Sequence, residues 1–316
     1  MPEHPRSLVV VLNYRGRADT LECVASLVEG SPAHTVLVVD NGSHDGVLDA
    51  VRDRWPATVA TLQNGTNLGF AGGMNSGLRW AREHGYDVVT VLNNDTVVRP
   101  GTLDLLVARA LAGQVAVSPA VRYRDGVRVW FAGGGLDPED GLPHHLSDDA
   151  VARLHGTDPD GPYATDLLAG CCVTASAATW ATVGDFDERF FLNFEDSEWS
   201  VRARRLGTRL EVEPRATVLH SVSASFVGAY SYLGAFYYAR NSLLYTRLVG
   251  GGRTRTLRLL RRRVLPSPVR IARAEGWREG ARKGAMVVAG IAAHSTRRYG
   301  RAPRWVEARA GRWTRG

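Results

Sequence analysis

The sequence predicts an α/β protein with a mostly parallel central sheet flanked by helices, followed by a helical C-terminal extension. Three observations predict it. Short β-branched runs end in polar or turn residues, helix-patterned segments lie between them, and the last quarter of the chain turns arginine-rich and helical in pattern.

The runs "SLVVVLNY" (7–14), "TVLVVDNGS" (35–43) and "YDVVTVLNND" (86–95) are continuously apolar, the pattern of strands buried on both faces. Between the first two, "RADTLECVASLVEG" spaces Leu21, Val24, Ala25, Leu27 and Val28 along one helix face, and "MNSGLRWAREHG" forms a second helix ahead of the third strand. Glycine-rich loops near 133–143 and 156–162 then break the pattern, and a stretch of more antiparallel character is expected to run to about residue 222. From "SYLGAFYYARNSLLYTRL" onward the chain reads helical. There "RTRTLRLLRRRVL" puts Leu257, Leu260 and Val264 on one face with arginines around the rest.

At 316 residues and 44% hydrophobic content the chain can bury a large core. Its net charge of +7 hides an asymmetry, since residues 1–252 carry −8 and residues 253–316 carry +15. The basic tail reads either as a solvated helical appendix packed through its leucines or as a surface for anionic lipid. Nucleic acid is not expected, because no recognition motif accompanies the charge. Three cysteines, two of them adjacent (Cys171 and Cys172), point to a reducing compartment. The apolar runs at the start and in "GAMVVAGIAAH" are too short for a signal core or a membrane span, so a cytoplasmic protein is expected, with contact at the inner face of the plasma membrane under the lipid reading.

Each predicted strand ends in a polar cluster: Asn13 and Tyr14, then Asp40 and Asn41, then Asn93, Asn94 and Asp95. Ligands of open α/β sheets bind outside the carboxyl ends of the strands, so these clusters should converge. Asp40 reads as an acceptor for a ribose hydroxyl or a pyrimidine imide N–H, or else as the anchor of an Asp-Asn-Gly turn. "NGTNLGFAGGMNSGL" (64–78) places Gly69, Gly72 and Gly73 before a helix, suiting close approach to phosphate, yet it is neither a Walker loop nor a dinucleotide fingerprint. Asp95 reads as a helix cap or as a ligand for Mg²⁺ or Mn²⁺, with His220 of "VLHS" as a second donor. "FFLNFEDSEWSVRARRLG" (190–207) begins as an apolar wall, continues with Glu195, Asp196 and Glu198 at a helix start, and ends in arginines before Gly207. Arg202 and Arg205 read as diphosphate contacts or as a solvated helix face.

In their order, "VVVLNYRG", "VVDNGSHDG", "NLGFAGGMNSG", "LNNDTVV", "GDFDERFFLNFEDSEWSVRARRLG" and "VLHS" strongly resemble glycosyltransferase family 2, particularly its rhamnosyltransferase-like bacterial members, over roughly residues 7–248. The resemblance implies a GT-A fold, a dTDP- or UDP-sugar donor, a divalent cation (Mg²⁺ or Mn²⁺) and inversion at the anomeric carbon. It implies residues 1–120 as the nucleotide-sugar half, 121–225 as the acceptor and catalytic half, and 226–316 as the extension. Asn13, Tyr14, Asp40, Asn41, Asn67, Gly69 and Asn75 would surround the donor with Asn93, Asn94 and Asp95, which occupy the family's Asp-x-Asp position. Only the last of these is acidic, which leaves the metal to Asp95 and His220. Asp196 would be the general base, Glu195 would orient the acceptor, and Gly170, Phe194 and Trp199 would line the acceptor site. The acceptor is expected to be a glycan, a lipid-linked sugar or a small hydroxyl compound. A sugar-phosphate nucleotidylyltransferase and a non-catalytic nucleotide-sugar-binding protein are the alternatives.

Overall fold

In the computed structural model, which describes residues 5–155, 158, 160–221 and 231–314, the first apolar run forms β1 (Ser7–Asn13) with all seven residues buried. Helix α1 (Arg17–Gly30) returns the chain to β2 (Thr35–Asp40), with Cys23, Val24 and Leu27 turned into the core. Helix α2 (Val47–Arg54) leads to β3 (Val59–Gln63), a partly exposed edge strand. The sequence reading passed over this strand because VATLQ lacks a continuous apolar run. Helix α3 (Gly69–Glu83) then leads to β4 (Val88–Asn93). It starts five residues before the predicted helix, inside the glycine run. Those glycines let the helix lie close to the sheet: a Cβ on Gly77 would come within 2.2 Å of Val10.

The second half runs through β5 (Thr96–Val98), α4 (Thr102–Leu111), β6 (Val115–Tyr123) and β7 (Val129–Phe131). The glycine-rich stretch near 133–143 forms a small separate hairpin, β8 (Gly134–Leu136) with β9 (Pro143–His145). Then follow α5 (Asp148–His155), β10 (Tyr163–Ala164), β11 (Cys172–Ser176), α6 (Ala177–Val183), α7 (Glu195–Arg205) and β12 (Arg209–His220). Residues 156, 157 and 159 of the second glycine-rich loop lie outside the described residues, as do 222–230, where the antiparallel stretch and the catalytic half were expected to end.

Among the described residues ten strands share one sheet, ordered β10-β12-β6-β11-β4-β1-β2-β3, with β5 on β12 and β7 on β6. Strands β3, β2, β1, β4, β6 and β12 point one way, and β11 runs against both of its neighbours. The register sets Asn13 beside Asp40 and Leu12 beside Asn93, so the polar ends of β1, β2 and β4 come level. Burying Val9, Val11, Val36, Val38 and Leu92 between the helical layers contributes about 1.5–3 kcal/mol per side chain.

The extension consists of α8 (Tyr232–Leu248), α9 (Arg253–Leu259), a π-helical turn (Leu260–Val264), α10 (Ser267–Glu275), α11 (Trp277–Ser295) and α12 (Arg304–Thr314). Among the described residues no helix is long and apolar enough to cross a membrane. Phe236, Tyr245, Val264 and Met286 share a core with Phe190 and Val201 of the preceding half, so these helices are built into the body. The predicted apolar face of Leu257, Leu260 and Val264 is corrected in one position. Val264 and Leu259 are fully buried and Leu260 partly so, whereas Leu257 is exposed, because the π turn adds a residue to the helical period between them.

Candidate active site

A cavity of about 670 Å³ opens where the carboxyl ends of β1 and β4 meet the extension. That is an ordinary size for a ligand cleft. Tyr14, Asn67, Gly69, Asn93, Asn94 and Asp95 line its sheet side, so six of the predicted donor residues do converge. The opposite wall consists of Leu233, Tyr237, Arg301 and Glu307, which sequence reasoning had not connected with the site. Gly69 is required here: its φ is +76°, and a Cβ would sit 2.2 Å from the Phe191 carbonyl that accepts from Phe70 N–H at 2.7 Å.

The other predicted donor residues stand behind this wall. Asn13 is fully buried and donates to Asp40 Oδ1 at 2.9 Å and Ser43 Oγ at 2.8 Å, while its Oδ1 accepts from Gly16 N–H and Thr20 Oγ1. Burial would push Asp40 up, but hydrogen bonds from Ser43, Gln63, Asn13 and the His44 N–H outweigh it and hold the carboxyl below its ordinary value. Asp40 instead faces a separate crevice with His44, Arg52 and Gln63. Asn41 donates to Asn67 Oδ1 at 3.2 Å and the Gly69 carbonyl at 2.9 Å, shaping the loop that carries both. Asn75 ties α3 to the main chain of Phe186 in both directions and to Glu188.

Asp95 and His220 meet at the end of the cleft, with Oδ1 and Nε2 3.1 Å apart. A carboxylate oxygen beside an imidazole nitrogen is a donor pair that fits Mn²⁺ or Mg²⁺, and Asp95 reaches the cleft wall. Among the described residues no group of three or more His, Cys, Asp or Glu side chains could hold a metal. A cation here would therefore take its remaining ligands from water and a substrate diphosphate.

A second, smaller cavity of about 170 Å³ adjoins the cleft, and Phe70 and Asn93 line both. It holds Gly170, Glu195 and Asp196. Asp196 stands in the first turn of α7, where the N–H dipoles favour a carboxylate. Its Oδ2 accepts from Gly170 N–H at 2.9 Å and its Oδ1 from Ser197 N–H at 2.7 Å and Ser197 Oγ at 3.1 Å. Glu195 is 5% exposed, and its Oε2 has no hydrogen-bond partner among the described residues. Burial, aided by the charge of Asp196, pushes its carboxyl up to about 8. At neutral pH one carboxyl of the pair is therefore protonated and can donate a hydrogen bond. Cys171 also reaches this cavity, and burial keeps its thiol protonated.

Trp130, Phe131, His144 and His145, from β7 and the β8–β9 hairpin, form a wall of this cavity that the sequence reading missed. Trp130 presents an edge-to-face contact to His145 at 4.8 Å and another to His220 at 4.6 Å, so one indole joins the Asp95 pair to the Asp196 cavity. His145 Nδ1 donates to the Trp130 carbonyl at 2.8 Å. The only sequence signal was two aromatics and two histidines in an otherwise loop-like stretch.

Two predicted acceptor residues lie elsewhere. Trp199 is 1% exposed, donates to the Gly184 carbonyl at 2.8 Å and packs on Trp180 at 4.7 Å, because its side of α7 is the one buried against α6. Phe194 packs between Tyr238 and Tyr245 and borders a neighbouring cavity with Arg263. Arg202 donates to Glu198 and the Val183 and Asp185 carbonyls, and Arg205 to the Leu248 and Val249 carbonyls, so both tie elements together rather than facing the cleft.

The loop before α7 is strained, with positive φ at Phe191 (64°), Asn193 (70°) and Phe194 (76°). Asn241 of α8 holds it by donating to the carbonyls of Phe190, Leu192 and Asn193. The neighbouring Arg240, fully buried, donates to the carbonyls of Phe190 and Gly300. Burial lowers its pKa to about 10, which still leaves it charged at neutral pH.

A mixed, mostly parallel sheet with a cleft across its strand ends, closed by C-terminal helices, defines the GT-A class of nucleotide-sugar transferase folds. Solved structures of similar fold include GalNAc-T7 with UDP, GalNAc and Mn²⁺ (TM-score 0.58, 16% identity, 86% of this chain and 59% of that one). Another is the mannosyltransferase PcManGT of Pyrobaculum calidifontis with GDP-Man and Mn²⁺ (0.57, 17%, 94% and 89%). Residues 8–150 match the model of glycosyl transferase family 2, and the chain is similar to rhamnosyltransferases. It is 29% identical over 212 residues to the N-acetylglucosaminyl-diphospho-decaprenol L-rhamnosyltransferase of Mycobacterium tuberculosis H37Rv, covering 59% of this chain and 66% of that protein, slightly under two-thirds of its length. It is 21% identical over 250 residues to the dTDP-rhamnosyl transferase RfbF of Shigella flexneri, covering 75% and 79%.

Proposed function

We propose that this chain is an inverting glycosyltransferase that moves a sugar, L-rhamnose by likeness to the Mycobacterium and Shigella relatives, from a dTDP- or UDP-linked donor to a hydroxyl acceptor. The observation that carries this reading is the adjacency of two cavities: Asp196 stands in one, Asp95 lines the other, and Phe70 and Asn93 border both. In this reading residues 1–120 hold the donor, 121–225 bind the acceptor and perform catalysis, and 226–316 close the cleft.

Asp196 takes the proton from the acceptor hydroxyl as its oxygen bonds to the anomeric carbon. The bond from that carbon to the diphosphate oxygen breaks on the opposite face, and the nucleoside diphosphate leaves. The Gly170 and Ser197 N–H groups hold the carboxylate in one orientation. Glu195, protonated, donates to an acceptor oxygen, so two adjacent carboxyls take different roles because their surroundings differ. Asp95 and His220 would hold a divalent cation, which neutralises charge on the diphosphate when bound.

A lipid-linked sugar is the acceptor class suggested by the Mycobacterium relative's name, and the basic extension would meet the membrane where such acceptors reside. Calorimetric titration with dTDP, UDP and GDP, each with Mn²⁺ and with chelator, tests the donor half of the proposal. Metal-dependent binding of one nucleotide supports it, and binding of none overturns it.

A further inference from the structure

The helical run from Arg253 to Glu275, comprising α9, the π turn and α10, has two unlike faces. Inward, Leu259, Val264 and Ile271 are buried. Arg262 reaches Glu139 at 2.6 Å, and Arg263 reaches Asp140 at 2.8 Å and Asp137 at 2.9 Å, all in the loop between β8 and β9. Outward, Leu257, Arg261, Leu265, Val269 and Arg273 follow one another at four-residue spacing, and every one is exposed. Leu257 is 52% exposed, Leu265 58% and Val269 55%, and Trp277 at the start of α11 is 74% exposed.

Residues four apart are neighbours on a helix surface, so these exposed side chains follow one another along α9, the π turn and α10. Its chemistry is one-sided as well. The only acidic side chain from 253 to 278 is Glu275, which Lys283 holds at 2.5 Å. Arg258, Arg270 and Arg278 add exposed positive charge beside the row, and the Arg278 guanidinium lies over the Trp277 ring at 5.6 Å. Bulky aliphatics alternating with arginines, with an indole at one end, match the interface of a bilayer carrying anionic headgroups. Aliphatic side chains enter the acyl boundary, guanidinium groups pair with phosphates, and tryptophan settles at headgroup depth. Nucleic acid would use the arginines but leave the leucine, valine and tryptophan surface in water.

We propose that the outward row from Leu257 to Trp277 docks the protein on an anionic lipid surface. This deepens the lipid-linked acceptor reading and rests on it only for its purpose, since the surface stands by itself. The inward arginines give the docking a direction: Arg263, Asp137 and His144 border one cavity of about 370 Å³, and His144 also lines the Asp196 cavity. The docked helix therefore lies directly behind the wall of the acceptor site.

The test is co-sedimentation of the full chain with vesicles of phosphatidylcholine alone and of phosphatidylcholine mixed with phosphatidylglycerol, at low and high salt. Binding to the phosphatidylglycerol vesicles, weakened by salt, is expected. The combined Leu265→Ser, Val269→Ser and Trp277→Ala variant should lose at least about tenfold in partitioning, as should Arg261→Ser with Arg273→Ser. All five side chains are exposed, so thermal midpoints and nucleotide binding should be unchanged. Absence of binding by the wild type, or equal binding by the apolar variant, overturns the proposal. So does duplex DNA that displaces the vesicles and depends on the arginine pair alone. Because the readout is sedimentation rather than sugar transfer, a negative result leaves the transferase reading standing. Conversely, loss of that reading would not alter vesicle binding.

Discussion

The main-chain N–H of Gly170 donates to Oδ2 of Asp196 at 2.9 Å, joining the loop before β11 to the first turn of α7. A Cβ on Gly170 would lie 3.1 Å from the Cβ of Asp196 and 3.2 Å from Oδ2, so the carboxylate is held by close approach as well as by the bond. Asp196→Asn is expected to lower transfer by at least about a thousandfold while nucleotide affinity changes less than about twofold. Gly170→Ala should displace the same carboxylate and lower kcat by roughly ten- to a hundredfold. Steady-state kinetics beside calorimetry check both, and full transfer by Asp196→Asn would remove the assignment of the base.

Glu195 yields a pH prediction. Its folded pKa of about 8 lies above its ordinary value of 4.5, so between those values the folded state keeps a proton that the unfolded state has lost. Stability contributed by the neutral carboxyl is therefore present at low pH and lost as pH rises through that window, by up to about 1.4 kcal/mol per unit. Glu195→Gln should flatten this slope, and its thermal midpoint should exceed that of the wild type at pH 8 but not at pH 5. Parallel slopes for the two proteins would contradict the burial argument.

Asp95→Ala and His220→Ala should each weaken nucleotide binding in Mn²⁺ by at least about tenfold and leave binding in chelator unaltered. The same titrations performed on wild type and variants decide it. A metal increment that survives both substitutions would place the cation elsewhere.

Trp130 touches both imidazoles, so Trp130→Leu should act on two readouts at once. Acceptor KM should rise through loss of the wall beside His145, and the Mn²⁺ increment in nucleotide binding should fall through loosening of His220. A purely structural role would lower the thermal midpoint without moving either.

Asn241→Ala removes a donor from three carbonyls in the strained loop before α7. The expected cost is about 1–3 kcal/mol, read from urea denaturation, because the Leu192 and Asn193 carbonyls lose this donor while Phe190 keeps Arg240. Transfer should fall further than nucleotide affinity, since the loop leads directly into Glu195 and Asp196 of α7, whereas Asn93 to Asp95 stand at the end of β4.

Patterning along the chain was sufficient for the sheet and for the line of the site. Three apolar runs could only be buried strands, and because parallel strands end level, the polar residues closing β1 and β4 had to meet at one edge. Periodicity also located α1 and the amphipathic tail, and the order of acids, then arginines, then Gly207 located α7. Tertiary structure alone decided which polar residues face the cleft. Asn13, Asn41 and Asn75 each satisfy a neighbouring loop from within, as buried amides must, while Tyr14, Asn67 and Asn93 to Asp95 remain on the wall.

It also decided the fate of the aromatics beside Asp196. Composition cannot distinguish a side chain that walls a cavity from one that fills a core, and Trp199 went to α6 while Trp130, 69 positions earlier in the chain, came to the site. The extension read as a basic appendix because local sequence shows charge and period but not neighbours. Folding brought Tyr237 and Arg301 into the cleft and put Asn241 under the loop before α7, contacts between residues far apart in sequence that no local pattern encodes. The chain's local order determined the scaffold and its active edge. Long-range packing, which must satisfy every buried amide and fill every space between helices, determined the rest.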